Sequence, residues 1–97
     1  MQLHEILKQP NVRIIDVRSV AEFSGGHVVG STNIPLNEIP NRISELREVT
    51  GPIVLCCASG NRSGQATTYL EGLGFNQVYN GGSWLDVNYF SSKNGTI

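Results

Sequence analysis

Strand-like and helix-like segments alternate along the chain without a repeat, a linker or a low-complexity tract, and that alternation restricts the fold more than any other feature. Val12-Arg13-Ile14-Ile15-Asp16-Val17 is rich in β-branched residues and reads as a strand, Ser31-Thr32-Asn33-Ile34-Pro35 as a brief one, and Gln77-Val78-Tyr79 as another. Ile53-Val54-Leu55-Cys56 is apolar without interruption, as expected of a strand covered on both faces. Between these lie helical stretches. Leu3 to Gln9 reads as a short helix ended by Pro10, and Ser19 caps another through Phe23, with Glu22 completing a capping box and Gly25-Gly26 stopping it. Ile39, Ile43 and Leu46 share one face of a helix predicted over Asn37 to Glu48, with Pro40 tolerated in its first turn. Ala66, Tyr69, Leu70 and Leu73 form an apolar helical stripe that Gly74 ends. A last helix is predicted from about Ser83 to Phe90, giving one domain over residues 1–90 and a polar, disordered tail over 91–97. Strands alternating with helices imply right-handed crossovers and an α/β fold: a central, mostly parallel sheet with helices on both faces.

In such sheets ligands bind beyond the carboxyl ends of the strands, where Asp16 and Cys57 both fall. The loop there is Cys57-Ala58-Ser59-Gly60-Asn61-Arg62-Ser63. Ser59, Gly60 and Asn61 are small or tolerate left-handed backbone, so successive N–H groups can turn inward as an anion nest. Arg62 adds a planar, fixed positive charge, and a helix opening near Ser63 points its positive end at the same spot. All three favour a thiolate over a thiol. Strand alternation sends Cys56 and Cys57 to opposite faces, so Cys56 is expected in the core and Cys57 at the loop as the nucleophile.

Seven basic and eight acidic residues leave a net charge of -1, so no broad field is available for nucleic acid or an anionic membrane. The longest apolar runs are a few residues, and Met1 to Glu5 lacks the order of a signal peptide. A cytoplasmic location with reduced thiols is the expectation. Neither cysteine stands in metal-ligand spacing with another Cys or with His4 or His27, so no metal is expected.

Three segments together resemble the single-domain rhodanese (sulfurtransferase) family: Ile15-Asp16-Val17-Arg18 with Glu22-Phe23, Gly26-His27-Val28-Val29-Gly30-Ser31-Thr32-Asn33-Ile34-Pro35, and Cys57 through Ser63. Gly81-Gly82 with Trp84 is a looser fourth match, while Cys56 and Ser31 depart from the aromatic and the alanine usual at those positions. The resemblance implies a three-layer rhodanese-like fold with four to five strands and a sulfurtransferase that needs no cofactor. Cys57 would carry a persulfide between a small anionic donor, such as thiosulfate or a persulfide, and a thiol or cyanide acceptor, with a protein donor or acceptor as a further partner. It also implies that Ala58, Ser59, Gly60, Asn61, Arg62 and Ser63 bind the substrate, Arg62 at its anionic end. Asp16 and Arg18 are expected behind the loop, as a salt bridge or cap. His27, in a Gly-His-x-x-Gly turn, is expected to be a structural imidazole. Two rival readings stand beside this one. Counted from Cys56, the chain spells the Cys-x5-Arg-Ser signature of a phosphatase, although a six-residue loop from Cys57 suits a smaller sulfur centre. The other rival is a non-catalytic, regulatory rhodanese-like module.

Overall fold

The computed structural model describes residues 2–95, with side chains through Ser91. Four strands form one sheet: β1 (Arg13–Asp16), β2 (Thr32–Asn33), β3 (Ile53–Cys57) and β4 (Val78–Ser83). All neighbours are parallel and the order is β2-β1-β3-β4. The chain leaves β1 for β2 on one side and returns to β3 on the other, so the strand order reverses between β1 and β3. Asp16 is paired with Cys56 there, which places the end of β3 at the crevice where α/β sheets bind ligands.

Two apolar clusters flank the sheet, and β3 divides its residues between them by the two-residue period of a strand. Ile53, Leu55 and Cys57 join Ile15, Val17, Ile39, Leu46, Ala66 and Leu70 on one face. Val54 and Cys56 join Ile6, Leu7, Val28 and Val87 on the other. The first face is covered by α3 (Ile43–Arg47) and α4 (Asn61–Gly72), the second by α1 (Leu3–Ile6) and α5 (Trp84–Gly95). Gly81 is the extra residue of a bulge in β4, since Leu55 pairs with Asn80 and Cys56 with Gly82. A Cβ on Gly81 would stand 2.7 Å from Val54 Cγ1 and 2.8 Å from Val87 Cγ2, so only glycine lets α5 close over β3.

The elements expected from sequence are present, with differences of extent and burial: α1 ends at Ile6 rather than Gln9, and β4 continues through Ser83, the residue expected to open the last helix. The helix predicted over Asn37 to Glu48 divides into a 3-10 helix, Leu36–Arg42, and α3, because Pro40 has no N–H for an α-helical bond. α4 opens at Asn61, two residues before Ser63, with Gly60 as its left-handed N-cap. In α4 the buried positions are Ser63, Ala66, Thr67 and Leu70, whereas Tyr69 and Leu73 flank the packed stripe and are exposed. α5 continues through Gly95, so residues 91–95 of the expected tail are helical, and Thr96 and Ile97 lie outside the described residues. Once the packed part of a helix has formed, each added residue gains a hydrogen bond without the cost of nucleation. The short α2 (Val20–Ser24) has the expected capping box, with Ser19 Oγ accepting from Glu22 N–H at 3.2 Å and Glu22 Oε1 from Ser19 N–H at 3.0 Å.

Candidate active site

The Cys57 sulfur sits at the carboxyl end of β3 under the first turn of α4 and receives three donors. Gly60 N–H lies 3.0 Å from Sγ, Ser63 N–H 3.4 Å and Ser63 Oγ 3.4 Å. Left-handed backbone at Gly60, with φ +99°, lets the loop curl back toward its own cysteine. A Cβ on Gly60 would lie 3.2 Å from Gly82 Cα, so the loop also packs against β4. Burial of the sulfur opposes ionisation, but hydrogen bonds from the Ser63 hydroxyl and amide and from the Ser59 and Gly60 amides together outweigh it. The Cys57 thiol is lowered to about 7, so roughly half is thiolate at neutral pH.

Cys56, one residue earlier, is the opposite case. Both cysteines are buried, at 0% and 1% exposure, but Cys56 belongs to the α1/α5 cluster away from the loop donors, and burial followed by the field of Asp16 pushes its thiol up to about 12. A phosphatase reading needs Cys56 as nucleophile, and this sulfur faces the α1/α5 cluster as a neutral thiol.

One residue that sequence reasoning missed organises the loop. The Asn80 amide carbonyl accepts from Ser63 Oγ at 2.7 Å and from Gly82 N–H at 2.9 Å, while its Nδ2 donates to Gly60 O at 3.1 Å. Asn80 thus ties both residues that contact Sγ to the end of β4. Asparagine beside two glycines reads locally as a turn, and no local signal marks its pairing with Gly60, 20 residues away.

Of the expected substrate-binding residues, Gly60 and Ser63 donate hydrogen bonds to Cys57, and the Ser59 amide adds to the groups that favour its thiolate. Ala58 is exposed, and Asn61 opens α4 with its side chain accepting from Gln65 at 3.1 Å. Arg62 turns to Glu22, with Nη1 and Nη2 donating to the two carboxylate oxygens at 2.7 and 3.1 Å. It still lies within the field of Cys57. A groove of about 520 Å³, lined by Val17, Val20, Pro35, Leu36 and Arg62 among others, opens beside it.

Asp16 and Arg18 form the expected salt bridge, buried and bidentate, with Arg18 Nη2 2.7 Å from Asp16 Oδ2 and Nε 3.0 Å from Oδ1. Arg18 also donates to Gly26 O at 2.7 Å, and its guanidinium lies 4.7 Å from the Trp84 ring centroid. The pair therefore clamps the end of β1 to the Gly26 turn and the start of α5, behind the loop. His27 Nδ1 is 2.7 Å from Phe23 O, which can only accept, so Nδ1 carries the proton. The ring stacks on Phe23 at 3.7 Å, a structural imidazole. Among the described residues, no group of three or more His, Cys, Asp or Glu could hold a metal ion, and no helix is long and apolar enough to cross a membrane.

The family model for the rhodanese-like domain matches residues 1–84. The chain belongs to the rhodanese-like family. This rhodanese-like chain is 41% identical over 68 residues to "Uncharacterized protein YqhL" of Bacillus subtilis, a match covering 70% of the chain and 53% of YqhL, so it spans about half the length of that relative. It is 35% identical over 74 residues to "Thiosulfate sulfurtransferase PspE" of Escherichia coli, covering 75% of the chain and 71% of PspE. Among solved structures, "rhodanese with anions from E. coli" superposes with a TM-score of 0.71 at 34% identity, covering 77% of this chain and 89% of that one. The four-stranded parallel sheet with helices on both faces is therefore the rhodanese fold expected from sequence.

Proposed function

We propose that the protein is a sulfurtransferase in which Cys57 carries a sulfane sulfur from thiosulfate or a persulfide to cyanide or a thiol. The observation that carries this reading is the Cys57 sulfur, held by Gly60 and Ser63 at the mouth of α4 with its thiol near 7. The thiolate attacks the outer sulfur of thiosulfate; a new S–S bond forms, the old one breaks, and sulfite leaves with the bonding pair. Cys57 is then a persulfide anion, whose terminal sulfur takes the place of the thiolate's charge before the same donors. In the second half a cyanide or thiolate acceptor attacks that terminal sulfur, and the electron pair returns to Cys57. Splitting one transfer into two displacements needs neither metal nor organic cofactor. The loop of Ala58 to Ser63 cradles the donor sulfur, Arg62 attracts its anionic end, and Asp16 with Arg18 hold the frame behind. A relative named as a thiosulfate sulfurtransferase supports the donor class. A free thiolate is maintained in a reducing compartment, in keeping with a cytoplasmic location.

Intact mass after incubation with thiosulfate tests the proposal. Wild type and Cys56→Ser are expected to gain about one sulfur atom, mapped to Cys57, and to lose it on addition of cyanide; Cys57→Ser gains nothing. Absence of the adduct on wild type, or its presence on Cys57→Ser, overturns the assignment.

A further inference from the structure

The charge expected to serve the substrate is already engaged. Both terminal nitrogens of Arg62 bind Glu22, a residue 40 positions earlier and in a different crossover unit. Helix geometry does not impose this pair, as it does not join neighbours on one helix. Glu22 is meanwhile held from the other side, its Oε1 accepting from Ser19 N–H at 3.0 Å and Ser19 Oγ at 3.1 Å. Arg62 first, and the Ser19 backbone second, lower its carboxyl to about 2, so it is ionised throughout the working pH range. The side chains are 36% and 39% exposed, so solvent reaches the pair and an incoming anion can compete for it.

We infer that Glu22 is a positioning residue that sets anion selectivity. It holds Arg62 beside the Cys57 loop and offsets its charge, so that a donor's anionic group must share or displace the Glu22 carboxylate. This rests on the assignment of Cys57 as nucleophile. A weakly held monoanion cannot displace a bidentate carboxylate anchored by a capping box, whereas a dianion such as thiosulfate competes for the same planar fork of donors. When sulfite departs, the Glu22 carboxylate reoccupies the guanidinium and opposes rebinding.

Iodoacetate and iodoacetamide test this without any sulfur transfer. Both form an S–C bond to the Cys57 thiolate and expel iodide, and they differ in charge, so the ratio of their rate constants reports how the site treats an anion. Cys56, whose thiol is pushed up to about 12, stays neutral and does not contribute. Glu22→Gln keeps an acceptor for the Ser19 capping contacts and removes the charge. Its iodoacetate-to-iodoacetamide ratio is expected to rise about threefold, the Coulomb effect of one charge several ångström away in a solvated site. Arg62→Ala should lower the ratio, and Glu22→Gln should raise it more in the presence of Arg62 than on the Arg62→Ala background, where only the direct repulsion of the carboxylate is removed. With thiosulfate, Glu22→Gln should lower KM with kcat little changed. A ratio unchanged by Glu22→Gln, accompanied by a lower melting temperature, overturns the inference and makes Glu22 a structural staple. A gain equal in size with and without Arg62 overturns it as well. Wild type that alkylates with the expected ratios yet takes no sulfur from thiosulfate would instead count against the proposed function.

Discussion

Ser63→Ala isolates the hydrogen bond that matters most to the Cys57 thiolate. The Ser63 hydroxyl is the leading group that lowers the thiol, yet it has one proton and two claimants: Asn80 Oδ1 at 2.7 Å and Cys57 Sγ at 3.4 Å. The shorter contact takes the larger share, so its worth to the thiolate falls at the low end for a charge-assisted bond, about 1.5 kcal/mol. That corresponds to about one pKa unit, moving the midpoint up from about 7 in the wild type. A more basic thiolate is also a better nucleophile, so the high-pH plateau should rise about threefold. The two effects nearly offset near neutrality, where the variant alkylates only about twofold more slowly, so a single-pH assay would miss the change. Iodoacetamide alkylation followed by intact mass across the pH range from about 5 to 10 resolves midpoint and plateau together. A midpoint unmoved in Ser63→Ala would refute the claim that this hydroxyl stabilises the thiolate.

Three further outcomes follow from the same geometry. Asn80→Ala leaves the Ser63 proton to Cys57 Sγ alone, so the alkylation midpoint should fall, while the lost bonds to Ser63 and Gly60 should cost about 1 to 2 kcal/mol in urea unfolding; an unchanged midpoint would show that Asn80 does not compete for that proton. Asp16→Asn leaves the buried Arg18 guanidinium without its counter-charge, and should cost about 3 kcal/mol or more in the same unfolding assay while leaving the Cys57 midpoint in place; a shifted midpoint would assign the pair to the chemistry. The folded Cys57 thiol near 7 lies below its unfolded value of 9.0, so the stability it contributes is complete above about 9 and is lost as pH falls through about 7. The melting temperature of wild type relative to Cys57→Ser should therefore climb from about pH 6 to 9, and a constant difference would contradict the lowered thiol.

Local chemistry and periodicity carried much of this protein. The period of two along Ile53 to Cys57 is enough to part Cys56 from Cys57, because adjacent strand residues must face opposite ways, and the two sulfurs do lie in different clusters. Ser19 and Glu22 announce their capping box three residues apart, and the small residues of the thiol loop permit its curl. These signals act within a few residues, so they are legible in one dimension. The partner of Arg62 and the role of Asn80 are not, because each depends on which distant segments the sheet order brings side by side. Sequence reading aimed Arg62 at the donor, and the tertiary structure gave it Glu22 from α2. Packing likewise decided which apolar positions of α4 are buried: Leu70 meets the sheet while Tyr69 and Leu73, equally apolar in pattern, face solvent. A helical stripe specifies a direction, and only the width of the surface it meets determines how much of that stripe is covered.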